Sequence, residues 1–342
     1  MYTLFRPLLF RLDPEVAHWM TLQAIGLAGR LPPVRSMLTA FFRGPQHPVQ
    51  AFGLTFPNPV GLAAGYDKDA TGWRGLTSLG FGHIEIGTIT PRPQPGNPKP
   101  RLFRLVPERA VINRMGFPGK GADFAARQLP GTAAMRKVSP CIIGINIGKN
   151  KDTPLEEATR DYTSLMRTLG ALGDYLAINI SSPNTVGLRR LQGRELLEGL
   201  LTALAHERQA QAEAIGRHVP LLVKLAPDLS DAELDDALDA IQRTGMDGVI
   251  ATNTTISREG IRSPLAAESG GLSGAPLRAR STEMIRKIAA RTHGKLPIIG
   301  VGGVSSADDV REKLDAGVVL IQIYTGLIYE GPTLVKKILQ DL

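Results

Sequence analysis

Residues 175–185, Tyr-Leu-Ala-Ile-Asn-Ile-Ser-Ser-Pro-Asn-Thr, begin as an apolar strand and end in small hydrogen-bonding groups, among them Asn179, Ser181, Ser182 and Asn184. Polar groups are costly to bury without partners, so a cluster of them at the end of an apolar run needs a reason. The pattern recurs. Lys68 follows a first apolar run, Thr88 ends a second and Asn146 sits late in a third. Lys224 lies inside a fifth, Thr252, Asn253 and Thr254 close a sixth, and Tyr324 and Thr325 close an eighth. Hydroxyls relay protons, asparagine presents a donor and an acceptor together, and lysine meets an anion. One such residue is ordinary core polarity; recurrence at one end of many strands marks a site.

Glycine-rich turns accompany these groups. Gly-Val-Gly-Gly (300–303) and Tyr-Thr-Gly (324–326) each lead toward a helical pattern, and Gly-Gly-Leu-Ser-Gly (270–274) precedes the seventh run. Glycines let backbone N–H groups close on an anion, so Gly274, Gly303 and their neighbours read as a phosphate cradle. Lys224, flanked by apolar residues, requires an anionic partner. Either a flavin ring that gains negative charge on reduction or a nearby carboxylate would serve.

These groups must be positioned by the runs themselves: 58–65, 83–90, 141–148, 175–182, 220–227, 248–255, 296–303 and 318–326, eight in all. Helical patterns lie between them. Ser230 and Glu233 form a capping box, and Ser305 with Asp308 opens a later helix. Alternating β and α units predict an α/β fold, a (β/α)8 barrel whose site lies at the strands' C-terminal ends. A doubly wound sheet is the second reading, but no Gly-x-Gly-x-x-Gly follows the first strand. Residues 101–105 and 110–114 read as a hairpin inserted over the mouth.

Composition narrows the class. With 342 residues, 43% hydrophobic and 21% charged, the chain holds one large domain and a small appendage. The net charge of +8 and pI near 9.7 suit anionic partners. The positive residues are scattered, however, and the densest spots, 97–104 and 188–194, lack aromatics and read as solvated surface, so nucleic acid is not indicated. The single cysteine, Cys141, excludes disulfides within the chain and cysteine-ligated clusters built by this chain alone, and it agrees with a reducing compartment. The six histidines have no ligand spacing, and no metal site is expected. Arg6, Pro7 and Arg11 interrupt the N-terminal apolar run, so no secretory signal is read, and residues 16–29 are too short and polar to cross a bilayer.

The N-terminal stretch carries its own pattern. Asp13 caps a helix with Pro14 at its first position, and Val16, Trp19, Met20, Gln23 and Leu27 follow at near-helical spacing. Residues 31–34, Leu-Pro-Pro-Val, then break the chain before a second short helix. Arginines at 6, 11, 30, 35 and 43 face only Asp13 and Glu15 in charge, which suits an anionic lipid surface; packing on the barrel is the alternative.

Long motifs then become familiar. Residues 61–69, 87–105, 112–117, 144–154, 178–185, 223–230, 251–255, 270–274, 298–303 and 322–326 together resemble the dihydroorotate dehydrogenase family, class 2, the quinone-dependent and membrane-associated type. The match spans essentially the whole chain. It implies an FMN enzyme of pyrimidine biosynthesis that oxidises dihydroorotate to orotate and is reoxidised by a quinone. By the resemblance, Ser182 is the base, and Lys68, Asn113, Asn179, Asn184, Asn253, Thr254 and the loop Arg114, Met115, Gly116 and Phe117 hold the substrate. Ala64, Gly65, Lys68, Thr88, Asn146, Asn179, Lys224 and Thr252 hold the flavin ring and chain, with Gly274, Gly303, Tyr324 and Thr325 at its phosphate.

The resemblance further implies that residues 1–45 associate with an anionic membrane surface and admit the quinone past Arg104 and Tyr324. Residues 46–342 then form the catalytic barrel, on the cytoplasmic face of the cell membrane, and no obligate protein subunit is expected. Pro118 and Val186 depart from the family's usual Asn and Pro, which bears on loop mobility rather than chemistry. A class 1 relative would carry a cysteine base, yet Cys141 opens the third strand. A tRNA dihydrouridine synthase would need a loop cysteine and an added RNA-binding domain, and only 16 residues follow Gly326. A non-catalytic phosphate-binding barrel would not require so many polar groups at one mouth.

Overall fold

Each apolar run becomes a strand, and parallel registers close the eight into a ring. The computed structural model describes residues 2–185 and 187–342; Val186 lies outside the described residues. The barrel comprises β1 (Val60–Leu62), β2 (His83–Ile89), β3 (Ile142–Ile147), β4 (Tyr175–Asn179), β5 (Leu221–Leu225), β6 (Gly248–Ala251), β7 (Ile298–Val301) and β8 (Leu320–Ile323). They pair in chain order, and β8 returns to β1 through Gln322 opposite Gly61. The strands are shorter than the apolar runs because the small polar residues at their ends leave the ladder. β4, for example, stops at Asn179, and Ser181 to Thr185 lie beyond it.

The helix signals hold, with one cap shifted by a residue. The Ser230–Glu233 capping box opens the helix Asp231–Arg243. The cap of the helix Ala307–Asp315 is Ser306 rather than Ser305: Ser306 accepts the Asp309 N–H, while Ser305 Oγ binds the Asp309 carboxylate. The hairpin is present as Leu102–Leu105 and Ala110–Asn113. Gly271–Gly274, read as a loop, adds a third strand to it, so the phosphate-cradle expectation there rests on a strand end.

At the N-terminus, α1 (Tyr2–Arg11), α2 (Pro14–Arg30) and α3 (Pro32–Phe42) precede the barrel. Asp13 Oδ1 accepts from the N–H groups of Glu15 and Val16, as its cap role requires. The prolines of residues 31–34 start α3 instead of only breaking the chain, since a first-turn N–H has no intrahelical partner to lose. Buried Gly26 and Gly29 bring α2 against the short helix Trp73–Leu76. The stripe Val16, Trp19, Met20 and Leu27 points outward, at 46–63% exposure, so it is not the face that packs on the barrel.

The barrel's other end is plugged by a hairpin the apolar pattern did not reveal, Val49–Ala51 with Leu54–Phe56, whose strands have only three residues each. Phe56 meets the ring of His83 edge-on at 5.4 Å, and Gly61 makes room for that ring, since a Cβ there would lie 2.2 Å from His83 Nε2. Both His83 nitrogens are buried without a partner, and burial lowers its pKa from 6.5 to about 3. The unfolded chain therefore binds more protons than the folded one between pH 6.5 and 3. Stability is fully present above 6.5 and falls as pH drops through that window, by at most about 1.4 kcal/mol per pH unit for one site. His83→Phe is expected to remove this site's share of the slope in urea titrations run at several pH values; a slope equal to wild type would contradict the assignment. His18, also lowered to about 3 by burial and Lys68, keeps its own share.

Candidate active site

The strand C-termini and the three-stranded insertion enclose a cavity with about 1060 Å³ of empty space including its mouth. Every residue singled out in the sequence as a substrate or flavin contact lines it, except Asn146 and Arg114. Asn146 is fully buried behind the wall. Its Oδ1 accepts from Thr88 Oγ1 at 2.6 Å and from Asn179 Nδ2 at 3.2 Å, so it fixes two residues that do face the cavity. Arg114 turns its guanidinium away to Glu268 and Pro100 O, although Met115, Gly116 and Phe117 of its loop reach the wall.

Ser182 is 4% exposed, lines the cavity, and its Oγ accepts from Asn184 N at 3.2 Å. Ser181 instead turns into the protein, accepting from Asn253 Nδ2 at 3.0 Å and donating to Asn179 Oδ1 at 3.3 Å. The four asparagines divide by what they have left to give. Asn179 and Asn253 spend their amides on each other, on Thr88, Asn146, Ser181 and Thr254. Asn113 Oδ1 accepts from Met115 N at 2.9 Å, and its Nδ2 has no partner among the described residues. Asn184 Oδ1 is buried and unpartnered. Asn113 and Asn184 therefore present an open donor and an open acceptor.

Two lysines bring positive charge to the wall. Lys68 Nζ donates to Gly65 O, and burial brings its pKa down to about 8, with Asp69 holding it up. Lys224 is 5% exposed, with no hydrogen bond from Nζ among the described residues. Burial lowers its pKa, and Glu85 is the charge that opposes the fall. No ion pair within 4.0 Å joins them, so the carboxylate reading of Lys224 is met only at longer range. At the far end of the cavity the backbone turns through Gly302 and Gly303 at positive φ. A Cβ on Gly303 would sit 2.4 Å from Arg278 Cβ, so only glycine fits there. Thr325 Oγ1 and Ser273 Oγ meet at 2.8 Å beside it.

Several functional neighbours were not read from the sequence. Glu85 and Gln322 lie in apolar strands, and the signal that marks Glu85 is a single acid inside His-Ile-Glu-Ile-Gly. Asn97 Nδ2 bridges Arg114 O and Asn184 O, tying two of the cavity-lining loops together. Thr185, three residues past Ser182, has a buried hydroxyl without a partner. The two basic spots read as solvated surface are corrected in part. Arg189 joins Ser181 O, Thr254 O and Asp228, and Arg101, 7% exposed, binds Glu15 of α2 at 2.7 Å.

Aromatic rings lead from the cavity to the N-terminal helices. Tyr324 hydrogen-bonds Gly65 O at 3.4 Å and stands 6.3 Å from Tyr66, which in turn stands 4.9 Å from His18 of α2. Burial pushes the Tyr324 hydroxyl well above its ordinary value. Arg104, outside the cavity, donates to Phe10 O and Leu12 O and covers the Phe10 ring at 4.8 Å, fixing the end of α1. No helix among the described residues is long and apolar enough to cross a membrane, and no group of three potential metal ligands occurs among them.

A closed parallel barrel with its polar, cation-bearing cavity at the strand C-termini has the build of a (β/α)8-barrel enzyme. Comparison with known proteins makes the class specific. The family model for dihydroorotate dehydrogenase matches residues 48–342. A protein of Kineococcus radiotolerans named dihydroorotate dehydrogenase (quinone) is 50% identical over 346 residues, covering 99% of this chain and 94% of that protein. One of the same name from Chromobacterium violaceum is 52% identical over 340 residues, covering 98% and 96%. The crystal structure of DHODH from Eimeria tenella in complex with ferulenol has a TM-score of 0.85 at 39% identity, covering 96% of this chain and 90% of that one. The chain belongs to the dihydroorotate dehydrogenase family.

Proposed function

We propose that this protein oxidises dihydroorotate to orotate in pyrimidine biosynthesis, with FMN in the cavity as hydride acceptor and a membrane quinone as final electron acceptor. Family membership and the names of the full-length relatives support the reaction. The observation that carries the reading onto this chain is Ser182, a buried hydroxyl on the wall of a cavity that also presents Lys68, Lys224 and a glycine turn.

The residues fit the cofactor. Lys224 Nζ and the buried, unpartnered Gln322 Oε1 have no other use in the described protein, and Gly303 leaves the backbone bare where a phosphate would rest. Lys224, Thr88, Thr252, Ala64 and Gly65 would hold the ring and its chain, with Gly274, Gly303, Tyr324 and Thr325 around the phosphate. Bound there, FMN would supply the acceptor for the hydride from C6 of dihydroorotate and the electrons that the quinone takes up.

The chain's own residues do the rest. Ser182 Oγ takes the C5 proton as it releases its own toward a relay, a role to which we assign the buried, unpartnered hydroxyl of Thr185, three residues along the same loop. The Asn184 N–H stabilises charge that develops on Ser182 Oγ. Burial excludes bulk water, without which a serine is a poor base. Asn113 and Asn184 grip the substrate's amide edges, Asn179 and Asn253 hold the wall in register with Thr254, and Lys68 with the backbone of 114–117 meets the carboxylate.

Residues 1–45 form the membrane-associating segment and 46–342 the catalytic barrel, at the cytoplasmic face of the cell membrane. The outward apolar stripe of α2 and the ring path Tyr324–Tyr66–His18 support quinone entry between these helices and the barrel. Denaturing the purified protein and identifying the released chromophore tests the cofactor: one FMN per chain is expected, and a colourless protein that takes up no FMN would overturn the reading.

A further inference from the structure

The eight barrel strands contain only two formally charged residues, Glu85 on β2 and Lys224 on β5. Their other titratable members are His83, held neutral at the barrel floor, and Tyr175 on β4. Glu85 is 1% exposed and lies one layer beneath the cavity. Three donors from three other strands converge on it: Asn146 Nδ2 on Oε2 at 3.1 Å, and Tyr175 OH and Gln322 Nε2 on Oε1 at 3.2 and 2.6 Å. An acceptor-only group surrounded by donors is how an ionised carboxylate is satisfied. Glu85 is tied to the wall by two routes, Gln322 directly and Asn146 through Thr88 and Asn179. Lys224, by contrast, has no hydrogen bond of its own among the described residues, and Glu85 is the one charge that opposes its desolvation.

On the flavin reading proposed above, we infer that Glu85, buried in the same barrel interior though beyond ion-pair distance, is a positioning residue that keeps Lys224 charged before the cofactor is reduced. Reduction then adds two electrons and one proton to the ring, and the ring's new negative charge meets an ammonium already in place. Without Glu85, a buried ammonium with no opposing charge in the barrel strands is too costly, and Lys224 Nζ stays neutral while the ring is oxidised. The negative charge created by reduction then draws a second proton from solvent onto Nζ. Two electrons would be accompanied by two protons instead of one.

The test is a dye-equilibrated redox titration of the holoenzyme near pH 8, comparing wild type, Glu85→Gln, Lys224→Met and the double variant. The slope of the midpoint potential against pH is expected to double in Glu85→Gln. It should stay at the wild-type slope in Lys224→Met and in the double variant, which have no amine to recharge. An unchanged slope in Glu85→Gln would overturn the inference.

A second measurement needs no folded Glu85 variant. In oxidised wild type, the side-chain NMR signal of Lys224, identified by its loss in Lys224→Met, is expected to report an ammonium at pH 8. A neutral amine there would also overturn the inference. A protein without flavin fails the functional reading but leaves this arm standing, so the two failures are distinct.

Discussion

Ser182→Ala is expected to slow dihydroorotate-driven bleaching of the bound flavin by roughly 10²–10⁴-fold, the usual contribution of a positioned base. Flavin content and orotate binding should stay close to wild type. The separation follows from the geometry. Ser182 Oγ has one hydrogen bond, from the Asn184 N–H, and carries no part of the Asn179–Asn253–Ser181 network that holds the wall. Alanine removes the proton acceptor and leaves the cradle intact. Stopped-flow reduction under anaerobic conditions reads the step directly. Near-wild-type reduction across the pH range would remove Ser182 from the role, and loss of flavin would show that it is structural.

The second large effect concerns membrane binding. Phe5, Leu8 and Trp19 are 60%, 63% and 61% exposed, on α1 and α2. Replacing all three by serine should weaken binding to anionic vesicles by roughly 100-fold or more, because each large apolar side chain contributes about 1.5–3 kcal/mol when fully buried. Turnover with long-tailed quinones should fall with it, while flavin reduction by dihydroorotate stays largely intact. These side chains are outward, so the variant keeps the Gly26 and Gly29 contact that docks α2. Full vesicle binding and quinone turnover in the triple variant would mean that this face is not the membrane contact.

The barrel was legible because β-branched runs recur between capped helices, and that pattern depends on local chemistry. The Ser230 cap is such a case, with donor and acceptor three residues apart. What escaped reading depends on distant partners. The hairpin 49–56 has strands of three residues, too short for any period to declare itself, and it folds because Phe56 finds His83 across the barrel floor. Gly271–Gly274 becomes a strand because Ala110–Asn113 offers it an open edge. The cavity wall was legible for the same reason as the strands, since polar residues at strand ends are visible in order along the chain. Glu85 was not, because its meaning lies in donors from Asn146, Tyr175 and Gln322, which lie up to 237 positions away from it along the chain. Arg101 and Arg189 looked like surface charge until Glu15 and Asp228 were brought to them by the fold.

The most direct measurement is anaerobic addition of dihydroorotate to the purified, flavin-loaded protein, followed by a quinone. The account predicts that the flavin absorbance is lost with formation of one orotate per flavin, and that it returns when the quinone is added. A flavin that stays oxidised in the presence of dihydroorotate, or one that bleaches and is not restored by quinone, would contradict it.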